Sequence, residues 1–169
     1  MTSKHRLLIV DGNPYVADIL VQTLKNDFIV TVASTGQDAA RLLIQGTRFD
    51  CVLTELNLPF FDGLELTKLI RMSRLLSHTP IVVLSNASDS NTRIMCLEQG
   101  VDSFISKPFN PLEVKARLQA VLRRVALPAE NLQERPLPVR GRTENRSLGM
   151  LKSRILSMIL GDYAVSQSA

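Results

Sequence analysis

Two carboxylates, Asp11 and Glu55, one hydroxyl, Ser85, and one amine, Lys107, stand at positions where together they could hold a charged ligand. Gly12 sits beside the first acid, and the backbone carbonyl of Asn57, two residues past the second, adds an oxygen donor. Acids, hydroxyl and amine brought to one place would suit a divalent cation and a phosphoryl group, through oxygen ligation and charge-assisted hydrogen bonds. Each residue also has a plainer role. Asp11-Gly12-Asn13-Pro14 makes a good β-to-α turn with Asn13 as N-cap and Pro14 at the first helical position. Ser85 can begin a loop, and Lys107-Pro108 can be a rigid turn. Their joint placement relative to the flanking elements favours the functional reading.

Those elements are short β-rich runs alternating with helical patterns. Strands are expected over His5–Val10, Phe28–Val32, Asp50–Thr54, Pro80–Leu84 and Ser103–Ile105. The first, third and fourth are apolar almost throughout, as parallel strands covered on both faces are. Helices are expected over Tyr15–Lys25, Gly36–Ile44, Leu64–Ser73, Asn91–Gln99 and Leu112–Arg124, where apolar residues recur three or four apart. Five such units predict an open parallel α/β sheet with right-handed crossovers and helices on both faces. In such sheets function gathers at the carboxyl ends of the strands, and Asp11, Gly12, Glu55, Ser85 and Lys107 end or directly follow strands one, three, four and five.

The pattern stops near Val125. The domain is therefore expected over residues 1–125, followed by a basic, proline-containing flexible linker at 126–146, an amphipathic helix at 147–161 and a disordered tail at 162–169. In the helix, Leu148, Leu151, Ile155, Met158 and Ile159 share one face, Ser147 is the N-cap and Gly161 the stop. Leu151, Ile155 and Met158 are candidate partner-binding residues.

Composition narrows the classes. Residues 1–125 carry 14 basic and 12 acidic side chains, whereas Arg135–Arg154 has six basic residues against Glu144, so the basic character is concentrated in the tail. That tail is too short for a winged helix, and its basic stretch has no aromatic residue to stack on bases, which argues against nucleic-acid binding. Its amphipathic helix suits a protein contact, with an anionic membrane surface as the alternative. No apolar run reaches the length of a membrane span. Cys51 and Cys96 lie within apolar or helical patterns rather than at metal-ligand spacing, so core thiols in a reducing cytosol are expected.

Several motifs in order and at matching spacing resemble the response-regulator receiver family of two-component systems, over roughly Lys4 to Arg124. Leu7-Leu8-Ile9-Val10-Asp11 resembles its first strand and acidic turn. Leu58-Pro59-Phe60-Phe61-Asp62-Gly63 resembles its Pro-x-x-Asp-Gly loop, and Ile81-Val82-Val83-Leu84-Ser85 its fourth strand with the switch hydroxyl. The run Gln99 to Phe109 resembles its fifth strand with Lys-Pro. The resemblance implies a flavodoxin-like, CheY-like fold with strand order 2-1-3-4-5. It places Phe104 at the aromatic switch position and makes Lys107-Pro108 a frequent cis peptide. It also makes Phe60 a usually small, exposed position, here a candidate partner anchor if the ring does not fold over the third helix, and Phe61 an inward-packed one.

Two positions depart from the family. Glu55 stands where the resemblance implies the phosphate-accepting aspartate, and Gly12 where it implies the second acid of a Mg²⁺ pair. Loss of one carboxylate weakens cation binding, leaving Asp11 and Glu55 to hold Mg²⁺ weakly or not at all. The longer acid misplaces its oxygens by roughly 1 Å, enough to cost on the order of a hundredfold in rate. No catalytic residue or cofactor is expected. Glu55 is expected either to neutralise Lys107 or to reach both Lys107 and Ser85 as an incomplete phosphate mimic. The expected function is a phosphorylation-independent, non-enzymatic protein-interaction module in bacterial signalling. Its partners would be a histidine kinase, an output protein, or a second copy through the fourth helix, fifth strand and fifth helix or through the C-terminal helix. The alternatives are a regulator phosphorylated at Glu55 or elsewhere, and output to DNA or membrane through the basic tail.

Overall fold

A computed structural model describes residues 4–87 and 89–126. The chain divides into two units, 1–127 and 128–169, and the described residues all belong to the first. The expectations for the linker, the amphipathic helix with Leu151, Ile155 and Met158, and the tail lie outside the described residues.

Five strands and five helices alternate: β1 His5–Val10, α1 Pro14–Leu24, β2 Phe28–Ala33, α2 Gly36–Ile44, β3 Cys51–Glu55, α3 Gly63–Met72, β4 Ile81–Ser85, α4 Ser90–Glu98, β5 Ser103–Ser106 and α5 Pro111–Ala126. All pairings are parallel, in the order β2-β1-β3-β4-β5. Right-handed crossovers make this order two-sided. The step from β1 to β2 runs one way along the sheet and later steps run the other, so α1 and the helices that follow β2, β3 and β4 fall on opposite faces. In keeping with this, α1 packs against α5 and α2 against α3.

Alternation along the central strands supplies both cores. Leu7, Ile9, Cys51, Leu53, Val82 and Leu84 join Leu20, Leu24, Val114 and Leu118 of α1 and α5 in one buried cluster. Leu8, Val10, Val52, Ile81 and Val83, also buried, supply the opposite face with Leu66 and Ile70 of α3. Each such side chain contributes about 1.5–3 kcal/mol by leaving water. Both thiols are buried, and desolvation pushes Cys51 up to about 12. Among the described residues no helix is long and apolar enough to cross a membrane.

The direction of progression along the sheet reverses between β1 and β3, which pair as Val10↔Thr54. Ligands of open α/β sheets bind outside the carboxyl ends of the strands at such a point. Asp11 directly follows β1, and Glu55 is the last residue of β3.

Candidate functional site

Asp11 is fixed from both sides. Its N–H donates to Ala33 O at 3.2 Å, prolonging the β1–β2 ladder, and its Oδ1 accepts from Asn13 N at 2.8 Å. Asn13 in turn caps α1, its side chain accepting from Tyr15 N, with Pro14 in the first turn. The turn-forming role of this segment is thus realised. Gly12 is exposed, and a Cβ there would meet only Ser34 O, at 3.5 Å.

Glu55 is held by the loop that follows it. Oε1 accepts from Leu56 N at 3.1 Å and Asn57 N at 3.3 Å, while Oε2 takes a hydrogen bond from Lys107 Nζ. The same Nζ lies 3.1 Å from Asp11 Oδ2. Asp11 and Glu55 are 3 % and 6 % exposed, so the ammonium bridges two buried carboxylates. Burial alone would lower the Lys107 pKa, but hydrogen bonds and charge attraction, from Glu55 first and Asp11 second, outweigh it and raise the group above its ordinary value. Both Glu55 oxygens therefore accept hydrogen bonds, Oε1 from the backbone of its own loop and Oε2 from Lys107.

Ser85 ends β4 but does not join this cluster. Its Oγ accepts from Ala87 N at 3.0 Å, and its carbonyl accepts from Lys107 N at 2.7 Å. Of the two destinations expected for Glu55, the structure realises Lys107 and not Ser85. The reason is local: a serine at a strand end finds a backbone partner two residues on more easily than a carboxylate across the edge. Asn57 is exposed, and its amide faces Glu55. Lys107-Pro108 is cis.

The side-chain oxygens this site offers a divalent cation are those of Asp11 and Glu55. Hard cations need several oxygen ligands, the two acids here are already bridged by an ammonium, and Gly12 supplies no carboxylate. Among the described residues no group of three His, Cys, Asp or Glu side chains is placed to hold a metal ion.

The loop after β3 is locked by glycines and a cap. A Cβ on Gly63 would come within 2.5 Å of Glu55 O, and one on Gly36 would overlap the Phe61 carbonyl. Asp62 and Glu65 close a capping box at the start of α3. Phe61 is buried, whereas Phe60 is 81 % exposed with φ +64°, so its ring does not fold over α3.

Phe104 is half-buried under Arg93, whose guanidinium carbon stands 5.5 Å from the ring centroid while Nη2 donates to Ser106 Oγ at 2.8 Å. A cleft of about 460 Å³ lies here, between Arg93 and Leu97 of α4, Phe104 and Ser106 of β5, and Glu113 and Arg117 of α5.

Sequence reasoning missed Arg71. From the end of α3 it donates to Gly100 O through Nε and Nη2, to Ser77 O and Thr79 O through Nη1, and to Asp102 Oδ2 at 2.8 Å. Asp102 also accepts from Ile81 N, so one guanidinium ties α3, the entry to β4 and the α4–β5 turn. Three of its four partners are main-chain carbonyls, which carry no side-chain signature.

The chain matches the response regulator receiver domain over residues 7–119. It is 38% identical over 126 residues to Protein PetR of Rhodobacter capsulatus, covering 73% of this chain and 51% of that protein. It is 33% identical over 123 residues to the DNA-binding response regulator MtrA of Mycolicibacterium smegmatis, covering 73% and 53%. The chain thus spans about half the length of these curated relatives. The chemotaxis response regulator CheY4 of Vibrio cholerae superposes with a TM-score of 0.66 at 28% identity, over 70% of this chain and 99% of that one.

Proposed function

Because this chain belongs to the response regulator receiver domain family, we propose that it serves two-component signalling as a non-enzymatic protein-interaction module whose state is not set by phosphorylation. One observation carries the reading: the Lys107 ammonium bridges Asp11 and Glu55, the charged groups that a phosphoryl and its cation would need. The ammonium stands in for the cation and the Glu55 carboxylate fills the space of an acceptor. Ser85, turned to Ala87 N, stays out of the cluster, which favours a domain held in one conformation over a phosphate mimic.

Partner contact is assigned to the α4–β5–α5 face. There Ile94 and Leu97 are 52 % and 55 % exposed beside the cleft under Arg93. An output protein, a kinase or a second copy would meet both apolar and charged groups on that face, as specific interfaces require.

Incubation with acetyl phosphate and Mg²⁺ followed by intact-mass measurement tests the reading. No phosphoryl adduct is expected. An adduct that disappears in Glu55→Ala would overturn it in favour of a working regulator.

A further inference from the structure

Phe60 and the far end of α3 form a matched pair of features. Phe61 N donates to Pro59 O at 2.7 Å, closing a three-residue turn with Phe60 at its centre. A positive φ at the middle of such a turn is rare and strained, and for a bulky residue it is an outlier. The neighbours hold the turn rigidly, since Leu58 and Phe61 are buried and Asp62 begins the capping box. The backbone at Phe60 is therefore strained and its ring 81 % exposed. Strain and exposure together point to something outside the domain.

At the opposite end of α3, about 15 Å away for a ten-residue helix, lies an apolar cavity of about 280 Å³. Leu43 and Ile44 of α2, Leu69 of α3, and Leu75, Leu76 and Arg48 of the adjoining loops line it. Leu75 is 73 % exposed there. The charges follow the same axis. Asp62, Asp89 and Glu113 stand at the carboxyl edge with the helix starts, beside Arg93 and Lys107, whereas Arg48, Arg74, Arg123 and Arg124 stand at the amino edge, where Asp27 and Asp102 are paired with Lys115 and Arg71, and Asp50 and Glu98 add two acids. Two like edges repel, and two unlike edges attract.

We propose that this chain associates head to tail with further copies of itself, the Phe60 ring of one copy entering the Leu43–Ile44–Leu69–Leu75–Leu76 cavity of the next. The contact is heterologous, so each copy keeps one free ring and one free cavity and the association does not stop at two. It is independent of the α4–β5–α5 face and of the phosphorylation reading.

Sedimentation velocity of the full chain, from low micromolar to near-millimolar concentration, reads this directly. The expected result is a weight-average mass that climbs past two chains and falls back at high salt. Phe60→Gly, which suits the positive φ, and Leu75→Arg, at an exposed position, should each fold normally by circular dichroism and each weaken association at least tenfold. Mixed in equal amounts they should pair, since one retains the cavity and the other the ring, and the species should end at two chains. A single-chain mass at every concentration would overturn the proposal. So would association unchanged by either substitution, or a mixture that fails to pair.

Discussion

Lys107 Nζ and Asp11 Oδ2 meet at 3.1 Å across the carboxyl ends of β5 and β1, although 96 residues separate them. The lysine side chain is 14 % exposed and that of Asp11 2 %, so the pair is shielded from solvent and its loss is felt in full.

Replacing Lys107 with Met should destabilise the domain by about 3–5 kcal/mol at neutral pH, because two buried carboxylates lose their counter-charge. The pKa of Lys107 is raised in the fold above its ordinary 10.5. Its stabilisation is therefore complete below pH 10.5 and is lost as pH climbs through the higher native value. Urea unfolding of the parent and Lys107→Met should show a wide gap at pH 7 that narrows above pH 10.5.

Glu55→Asp alone should remain inert toward acetyl phosphate, since Gly12 still supplies no second acid for the cation. The double variant Gly12→Asp, Glu55→Asp has room for the new side chain, whose Cβ meets only Ser34 O at 3.5 Å. It should take up a Mg²⁺-dependent phosphoryl group by intact-mass measurement.

Gly63→Ala should cost about 1–3 kcal/mol in chemical denaturation, because the new methyl lands 2.5 Å from Glu55 O and backbone must move. Conversely, Phe60→Gly should raise stability by about 1 kcal/mol. It removes a left-handed penalty of about 1–2 kcal/mol at φ +64° and adds a smaller glycine entropy cost. Thermal unfolding reads both changes.

Arg71→Lys should destabilise by about 2 kcal/mol or more. A single ammonium cannot reproduce a planar fork that serves Gly100 O, Ser77 O, Thr79 O and Asp102 at once. Denaturation midpoints of the two proteins measure it.

The alternation of apolar runs carried the fold class, the strand order through the family resemblance, and the start of β1. Where the structure differs, the cause is local chemistry. Helix α3 begins at Gly63 rather than Leu64 because the Asp62–Glu65 box nucleates it despite the poor propensity of glycine, and α5 begins at Pro111, which suits a first helical position. β4 and β5 each run one residue further than apolarity indicated, since Ser85 pairs with Ser106 in the ladder. At the site, Asp11, Glu55 and Lys107 were legible because strand order alone brings their strand ends together. The turn of Ser85 to Ala87 N and the Arg71 fork were not, as each depends on main-chain partners that no residue type announces.

The ammonium between Asp11 and Glu55 has one more consequence, which follows from its being covalently part of the chain. A tethered cation cannot be stripped by chelators, outcompeted by other metals or diluted away. At neutral pH the counter-charge of this pocket therefore comes with the fold itself, and EDTA should leave the thermal stability of the protein where it was.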